Sequence, residues 1–353
     1  MNNKFTWRTA AIQRETAQAL TIRFDTGKTD FQYRPGQIVN ITIPINGQPV
    51  TRSYSLSSVP SDDAPSITVK KQEDGLMSGY ICSKADRIAD WEVDGPHGFF
   101  YPGVQADKAN SIVLIAGGSG ITPLYAQLKH FLHHTTTRRV LINVNRDAAD
   151  AIFYSEIRRL ATIHSGRFTT VDFFTQGKPG EALAENVFRG RPGKLVLRKL
   201  LAGLLGNEAK QACYFICGPA GLIELAEQAA RALEVPDENI HKEFFGTNTA
   251  DKPEVELPGT ALEVILHHPN GHTKLNVQPG VSILHAALEA GLAVRNSCKK
   301  GYCGACIGRL LQGAVHMKQN HALYPTQTEQ GYVLLCQSHP LSNETAIRVD
   351  SLR

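Results

Sequence analysis

The pattern of hydrophobic and polar positions changes character twice along the chain. Up to about residue 105, β-rich runs at 21–24, 38–45 and 66–70 alternate with turn chemistry at Pro35-Gly36, Asn46-Gly47 and Asp94-Gly95-Pro96. Strand-length runs bounded by such residues, with no strong helical period, predict a small antiparallel β-barrel. From about 109 to 245 the texture differs. Residues 111–116 run apolar into a glycine-rich turn, and 123–132 have helical spacing. Short apolar runs at 140–144 and 213–217 each precede a helix-like stretch, and this alternation predicts an α/β unit with a parallel sheet and crossover helices. Residues 246–260 are rich in Thr, Pro and acids without periodicity and read as a linker. Beyond it, strand-like 262–267 and 273–277 flank an Asn270-Gly271 turn, and a helix-like segment over 282–290 leads into a cysteine cluster. The chain is therefore expected to be multidomain, with domains at 1–105, 106–247 and 261–353 and a linker at 248–260.

Composition changes this picture little. With 353 residues, 42% hydrophobic and 20% charged, the chain suits two or three ordinary globular domains. No apolar run approaches the roughly 18–20 residues of a membrane span, and the N-terminus has no apolar signal-peptide core. A cytoplasmic protein without a membrane partner is expected. A net charge of +4 without a Lys/Arg block argues against nucleic acid as a partner.

Cysteine spacing changes it most. Cys298, Cys303 and Cys306 stand as C-x4-C-x2-C, and Cys336 follows after 29 residues, the plant-type [2Fe–2S] spacing. A loop wrapping thiolates around two irons must turn sharply, and Gly301 and Gly304 supply the conformations it needs. Structural zinc sites instead pair two short C-x2–4-C knuckles, so zinc is the weaker reading. Of the remaining cysteines, Cys82 and Cys213 read as core thiols.

Two further segments have the chemistry of phosphate sites. In the run Arg52-Ser53-Tyr54-Ser55-Leu56, Arg52 offers a planar fork for a phosphate, Tyr54 an aromatic face, and Ser55 a hydroxyl. Gly75-Leu76-Met77-Ser78 is a glycine-led turn into a helix whose first N–H groups suit a pyrophosphate. These residues resemble the ferredoxin–NADP reductase superfamily, with its R-x-Y-[ST] and G-x-x-[ST] flavin motifs. Asp94-Gly95-Pro96-His97-Gly98-Phe99 is similar to the G-P-x-G-x-F segment closing its barrel. The resemblance implies that Arg52 binds flavin phosphate, Tyr54 stacks on the isoalloxazine, Ser55 bonds near N5 with Leu56 beside it, and Gly75, Met77 and Ser78 face the pyrophosphate. FAD is favoured over FMN by the second phosphate motif.

Ala116-Gly117-Gly118-Ser119-Gly120-Ile121-Thr122-Pro123 follows a buried-type strand and opens a helix, the context of a phosphate cradle, although it is not G-x-G-x-x-G. It resembles the superfamily's NAD(P)-phosphate motif, which implicates Gly117, Gly118, Gly120, Thr122 and Pro123. Cys217-Gly218-Pro219 is similar to its C-G-P motif, with the cysteine beside the nicotinamide. Glu243-Phe244-Phe245-Gly246 resembles the end of that module, with Phe245 near the flavin face. Arg146, after Asn145, suits a 2′-phosphate and favours NADPH. Thr175-Gln176 stands where NADP-preferring relatives often show Ser-Arg, which leaves NADH open.

Nicotinamides release two electrons as hydride, flavins take two and release one at a time, and [2Fe–2S] clusters carry one. A chain with all three sites is a two-to-one electron transformer. The order resembles reductase components of multi-component oxygenases, especially the phenylacetyl-CoA epoxidase reductase type, and implies an enzyme with an oxygenase partner. Two alternatives stand beside it: another soluble acceptor such as a hybrid-cluster protein, and a redox sensor with signalling cofactors. From Pro258 to Arg353 eight Lys/Arg face five Asp/Glu, and Lys299 and Lys300 lie in the cysteine loop. That excess points either to an acidic docking partner or to solvated lysines that raise the cluster potential. Histidine pairs such as His133-His134 and His267-His268 read as surface residues.

Overall fold

In the computed structural model the described residues are 4–27, 29–101, 103–176, 185–245, 257–296, 298–301, 303–320, 322–323, 325–350 and 352. Most of the linker expected at 248–260 lies outside them. The chain divides into two units: Lys4–Pro96 with Phe100–Gly246, and Thr247–Arg353 with His97–Phe99.

The first unit opens with the strands β1 (Lys4–Thr16), β2 (Ala19–Asp25), β3 (Ile38–Ile45), β4 (Gln48–Ser55) and β5 (Ser66–Lys70), then helix α1 (Leu76–Lys84) and β6 (Trp91–His97). They form one sheet in the order β4-β3-β6-β1-β2-β5. Its two edges meet at the antiparallel bridge Leu56–Ile67 and through Ser57 N–H to Ser66 O at 2.9 Å, which closes the expected barrel. Trp7, Phe24 and Trp91 fill its centre, with Phe24 against both tryptophans at 5.1 and 5.4 Å between ring centroids.

After a single turn, α2 (Val104–Asp107), come β7 (Ser111–Gly117), α3 (Ile121–His134), β8 (Arg138–Asn145), α4 (Tyr154–Ile163), β9 (Phe168–Phe174) and β10 (Val187–Arg189). They continue with α5 (Lys194–Leu205), β11 (Cys213–Gly218), α6 (Ala220–Arg231) and β12 (Ile240–Phe244). The sheet order is β10-β9-β8-β7-β11-β12, with the described pairings all parallel. Every residue of β7 is buried. Ile112, Leu114 and Ala116 face one helical layer and Val113 and Ile115 the other, which is why this strand reads as an unbroken apolar run.

The second unit contains β13 (Leu262–His268), β14 (Gly271–Val277), α7 (Ile283–Glu289), β15 (Ile307–Gln312), β16 (Val315–Met317), α8 (Pro325–Glu329), β17 (Tyr332–Leu334), β18 (Ser338–Pro340) and β19 (Thr345–Arg348). A five-stranded mixed sheet, β14-β13-β19-β15-β17, packs against α7 as in a β-grasp fold, and β16 pairs with β18. Ser282 caps α7, its Oγ accepting from His285 N–H at 3.3 Å. Among the described residues no helix is long and apolar enough to cross a membrane.

Candidate functional site

Strand β4 carries Arg52, Tyr54 and Ser55 to the mouth of the barrel. Arg52 is exposed and forms no ion pair among the described residues; its Nη1 donates only to Thr51 O at 2.8 Å. Burial raises the Tyr54 phenol well above its ordinary range, with Arg52 working against it, so the ring stays neutral. Leu56 is a core residue whose N–H donates to Gln37 O at 2.9 Å. Gly75 precedes α1, where a Cβ would lie 2.3 Å from Ser78 Oγ. Ser78 Oγ accepts from Gln72 N–H at 3.1 Å and donates to Gly75 O at 3.2 Å, and Met77 anchors α1 in the barrel core. This turn leaves the first N–H groups of a nine-residue helix at the end of the barrel.

In the parallel sheet, the connection from β7 leads to β8 on one side, while β11 lies on the other. The crevice beyond the carboxyl ends of β7 and β11 is therefore a topological switch point, where open α/β sheets bind ligands. Two glycine-bearing turns close on each other there. A Cβ on Gly120 would lie 2.2 Å from Cys217 O, and one on Gly117 would lie 2.7 Å from Pro219 Cδ and Leu222 Cδ2. Gly218 packs against Gly117 in turn, and Gly118 holds a positive φ of 54° in open space. Thr122 Oγ1 donates to Ser119 O at 3.0 Å and Pro123 sits in the first turn of α3, fixing the helix start behind the loop. Exposed Arg146 and its neighbour Asn145 are tied to Thr175-Gln176 by Thr175 N–H to Asn145 O (2.9 Å) and Gln176 N–H to Arg146 O (2.7 Å). The two segments that bear on coenzyme choice thus lie side by side.

The barrel and the parallel sheet meet in a buried polar cluster. Ser55 Oγ donates to Glu243 Oε2 at 3.4 Å, and Glu243 pairs in register with Cys217 on the neighbouring strand. Burial pushes the Glu243 carboxyl up to about 8, with the Ser55 hydrogen bond lowering it. Burial and then the Glu243 charge hold the Cys217 thiol well above its usual range. At neutral pH the cluster is mostly uncharged, with a carboxylic proton available beside a neutral thiol. Phe245 N–H donates to Gly218 O at 3.3 Å, placing the aromatic end of β12 against the same turn. Ser55 and Cys217 are sequence-predicted; the role of Glu243 is not. Its sequence signal is the acidic position that opens the Glu243-Phe244-Phe245-Gly246 segment, which marks the module's acidic-aromatic end without assigning that acid a role.

In the second unit the four predicted thiols fall into two neighbouring pairs, Cys298 with Cys303 and Cys306 with Cys336, and among the described residues no three metal-ligating side chains gather at one point. The neighbouring Cys298 thiol and then burial hold Cys303 well above its usual range, the Cys336 thiol and burial do the same to Cys306, and the Cys306 hydrogen bond lowers Cys336 in turn. Cys303, Cys306 and Cys336 are buried. Positive φ at Lys299 (54°), Gly301 (76°) and Gly304 (67°) curls the loop around them. Lys300 N–H donates to Cys298 Sγ at 3.4 Å and Gln337 Nε2 to Cys336 Sγ at 3.8 Å; backbone bonds from Gly301 to Cys336 and from Ala305 to Cys303 add further polarity. Two thiol pairs with amide donors around them fit a two-iron cluster. Cys213 is buried and Cys82 half-buried, apart from this group.

Comparison with known proteins finds three cofactor-binding domains along the chain. Residues 9–101 match an oxidoreductase FAD-binding domain, 114–228 an oxidoreductase NAD-binding domain, and 267–341 a 2Fe-2S iron-sulfur cluster binding domain. The chain is 32% identical to the ferredoxin reductase component of 3-ketosteroid-9-alpha-monooxygenase from Mycolicibacterium smegmatis, over 97% of this chain and 96% of that one. It is 31% identical to a component of the 1,2-phenylacetyl-CoA epoxidase of Escherichia coli, over 97% and 96%. The fold is shared with phthalate dioxygenase reductase, with a TM-score of 0.59, 20% identity and 98% of each chain covered. The chain belongs to the family of oxygenase ferredoxin reductase components and carries its FAD-binding, NAD-binding and 2Fe-2S domains in that order.

Proposed function

We propose that this protein takes reducing equivalents from NADPH onto FAD and delivers them singly, through a [2Fe–2S] cluster, to a partner oxygenase in the cytoplasm. When bound, the flavin accepts a two-electron hydride and the cluster carries one electron at a time. Arg52 offers its guanidinium to flavin phosphate, and Tyr54 shapes the isoalloxazine seat while Leu56, buried in the barrel core, only backs the strand end that carries it. Helix α1 presents first-turn amides at Met77 and Ser78, behind Gly75, to the pyrophosphate. Gly117, Gly118 and Gly120 let coenzyme phosphates approach the backbone, with Thr122 and Pro123 holding the start of α3. Gly218 and Pro219 form the facing wall. Cys217 and Phe245 set the nicotinamide against the flavin, while Ser55 and Glu243 hold a proton within the water-poor crevice. Arg146 pairs with the 2′-phosphate. Cys298, Cys303, Cys306 and Cys336 ligate the irons. The working domain boundaries are 1–105, 106–247 and 261–353, joined by 248–260.

One observation carries the hydride half of this reading: Ser55, Cys217 and Glu243 come from three strands and meet at the switch-point crevice. An oxygenase as acceptor is supported by the monooxygenase and epoxidase names of the relatives. Anaerobic mixing of the holoprotein with NADPH tests the route. Flavin absorbance should bleach first, and the paramagnetic signal of the reduced cluster should follow. A flavin fully bleached beside a cluster that stays oxidised would overturn it.

A further inference from the structure

The loop that holds the four thiols stands within a stretch of one-sided charge. From Ala290 to Thr328 the sequence contains no Asp or Glu, while Arg295, Lys299, Lys300, Arg309 and Lys318 are spread along it. The acids of this unit lie elsewhere, and three of them are already occupied: Glu263 with Lys274 (3.0 Å), Glu289 with His285 (3.2 Å) and Asp350 with Arg348 (3.3 Å). Lys299, Lys300 and Lys318 are exposed, and among the described residues none of the three forms an ion pair. Arg309 is placed over the Tyr332 ring, 5.9 Å from its centroid.

Gln337 ties this charge to the cysteines. Its Nε2 donates to Lys299 O at 2.9 Å and to Cys336 Sγ at 3.8 Å, and its carbonyl accepts from Lys318 N–H at 3.0 Å. The backbones of Lys299 and Lys318 are therefore anchored on one residue beside a ligand cysteine. Lys300 is anchored through its own N–H to Cys298 Sγ. Cations held near one another around a redox centre repel each other, and among the described residues no ion pair relieves Lys299, Lys300 or Lys318; a complementary partner relieves the repulsion and gains orientation by steering.

We propose that Lys299, Lys300 and Lys318 form a docking rim around the cysteine loop, and that the electron-accepting protein covers it with an acidic surface. This deepens the proposed function by naming the chemistry of its partner, and it rests on that reading only for the identity of the bound cluster.

The test uses the full-length holoprotein with its cluster reduced by dithionite, so a failure of coenzyme reduction would count against the proposed function and leave this measurement intact. Stopped-flow mixing with two one-electron acceptors of opposite surface charge, acidic plastocyanin and basic cytochrome c, gives the rates. The proposal expects plastocyanin reduction to slow as salt rises. Lys299→Glu/Lys300→Glu should slow it about tenfold at low salt while speeding cytochrome c reduction. Lys318→Glu, outside the ligand loop, should shift both rates in the same senses by a smaller factor, which keeps the test intact if the double variant loses its cluster. Lysines that only tune the cluster potential would move both acceptors in one direction. That result, or rates indifferent to salt and to charge reversal, would overturn the docking rim.

Discussion

The Ser55–Cys217–Glu243 crevice and the cysteine loop solve opposite problems with opposite means. In the crevice, ionisable groups are buried and held neutral, and glycines let two turns close to where a methyl group would collide. In the loop, left-handed backbone at Lys299, Gly301 and Gly304 curls the chain around sulfur, and lysines without an ion pair among the described residues face solvent. Hydride transfer needs exclusion of water and close positioning of two rings. Single-electron transfer to another protein needs an approachable centre and a charged approach. Reactive thiols are buried in both places, so the contrast lies in the groups around them: neutral and enclosed at the crevice, cationic and solvent-facing at the loop.

The largest expected effect breaks the outgoing half alone. Cys306→Ser should abolish the cluster signal and protein-acceptor reduction while flavin reduction by coenzyme persists, as separate absorbance and paramagnetic-resonance measurements would show. Gly120→Val should break the incoming half, because its Cβ meets the Cys217 carbonyl at 2.2 Å. A loss of about 1–3 kcal/mol in thermal or denaturant stability, with coenzyme binding weakened further, is expected.

A pH series sharpens the contrast. The folded-state pKa of Glu243 is raised from 4.5 to about 8, so the neutral form is favoured by folding. Its contribution is fully present below the unfolded value and is lost as pH rises through about 8. Relative to Glu243→Gln, the native protein should lose stability over that window with a slope of at most about 1.4 kcal/mol per pH unit, measured by urea titration. Arg146→Ala should raise KM for NADPH about tenfold and leave that for NADH nearly unchanged, the scale of one charge-assisted hydrogen bond. The smallest effect is on the joint between barrel and parallel sheet, where Lys70 and Asp150 pair at 2.7 Å with both side chains 16% exposed. Lys70→Met should cost about 1 kcal/mol by denaturation.

What could be read from sequence was whatever is encoded by short spacing. The four cysteines, the 38–45 and 66–70 strands, and the glycine loop before Pro123 are legible because each requirement is met within a few residues. Glu243 is different: its partner Ser55 lies 188 positions away, and only the folded barrel and sheet bring them together. Strand β1 was also hidden. Its sequence KFTWRTAAIQRET has mostly exposed positions without clean alternation, and it is fixed by pairing with both β2 and β6. The apolar run at 140–144 is shorter than β8, which spans Arg138–Asn145 because a fully buried Arg139 on one side and the buried Asn145 on the other continue it. Arg139 is accommodated by Phe131 O, Thr135 O and Thr135 Oγ1, contacts that no local pattern announces.

Counting electrons tests the central claim most directly: paired electrons enter at the buried crevice and leave singly from the cysteine loop. An anaerobic titration of the holoprotein with NADPH should consume about one and a half coenzyme molecules per chain, two electrons for the flavin and one for the cluster. Cys306→Ser should consume about one. Equal consumption by the two proteins, both holding full flavin, would contradict the account.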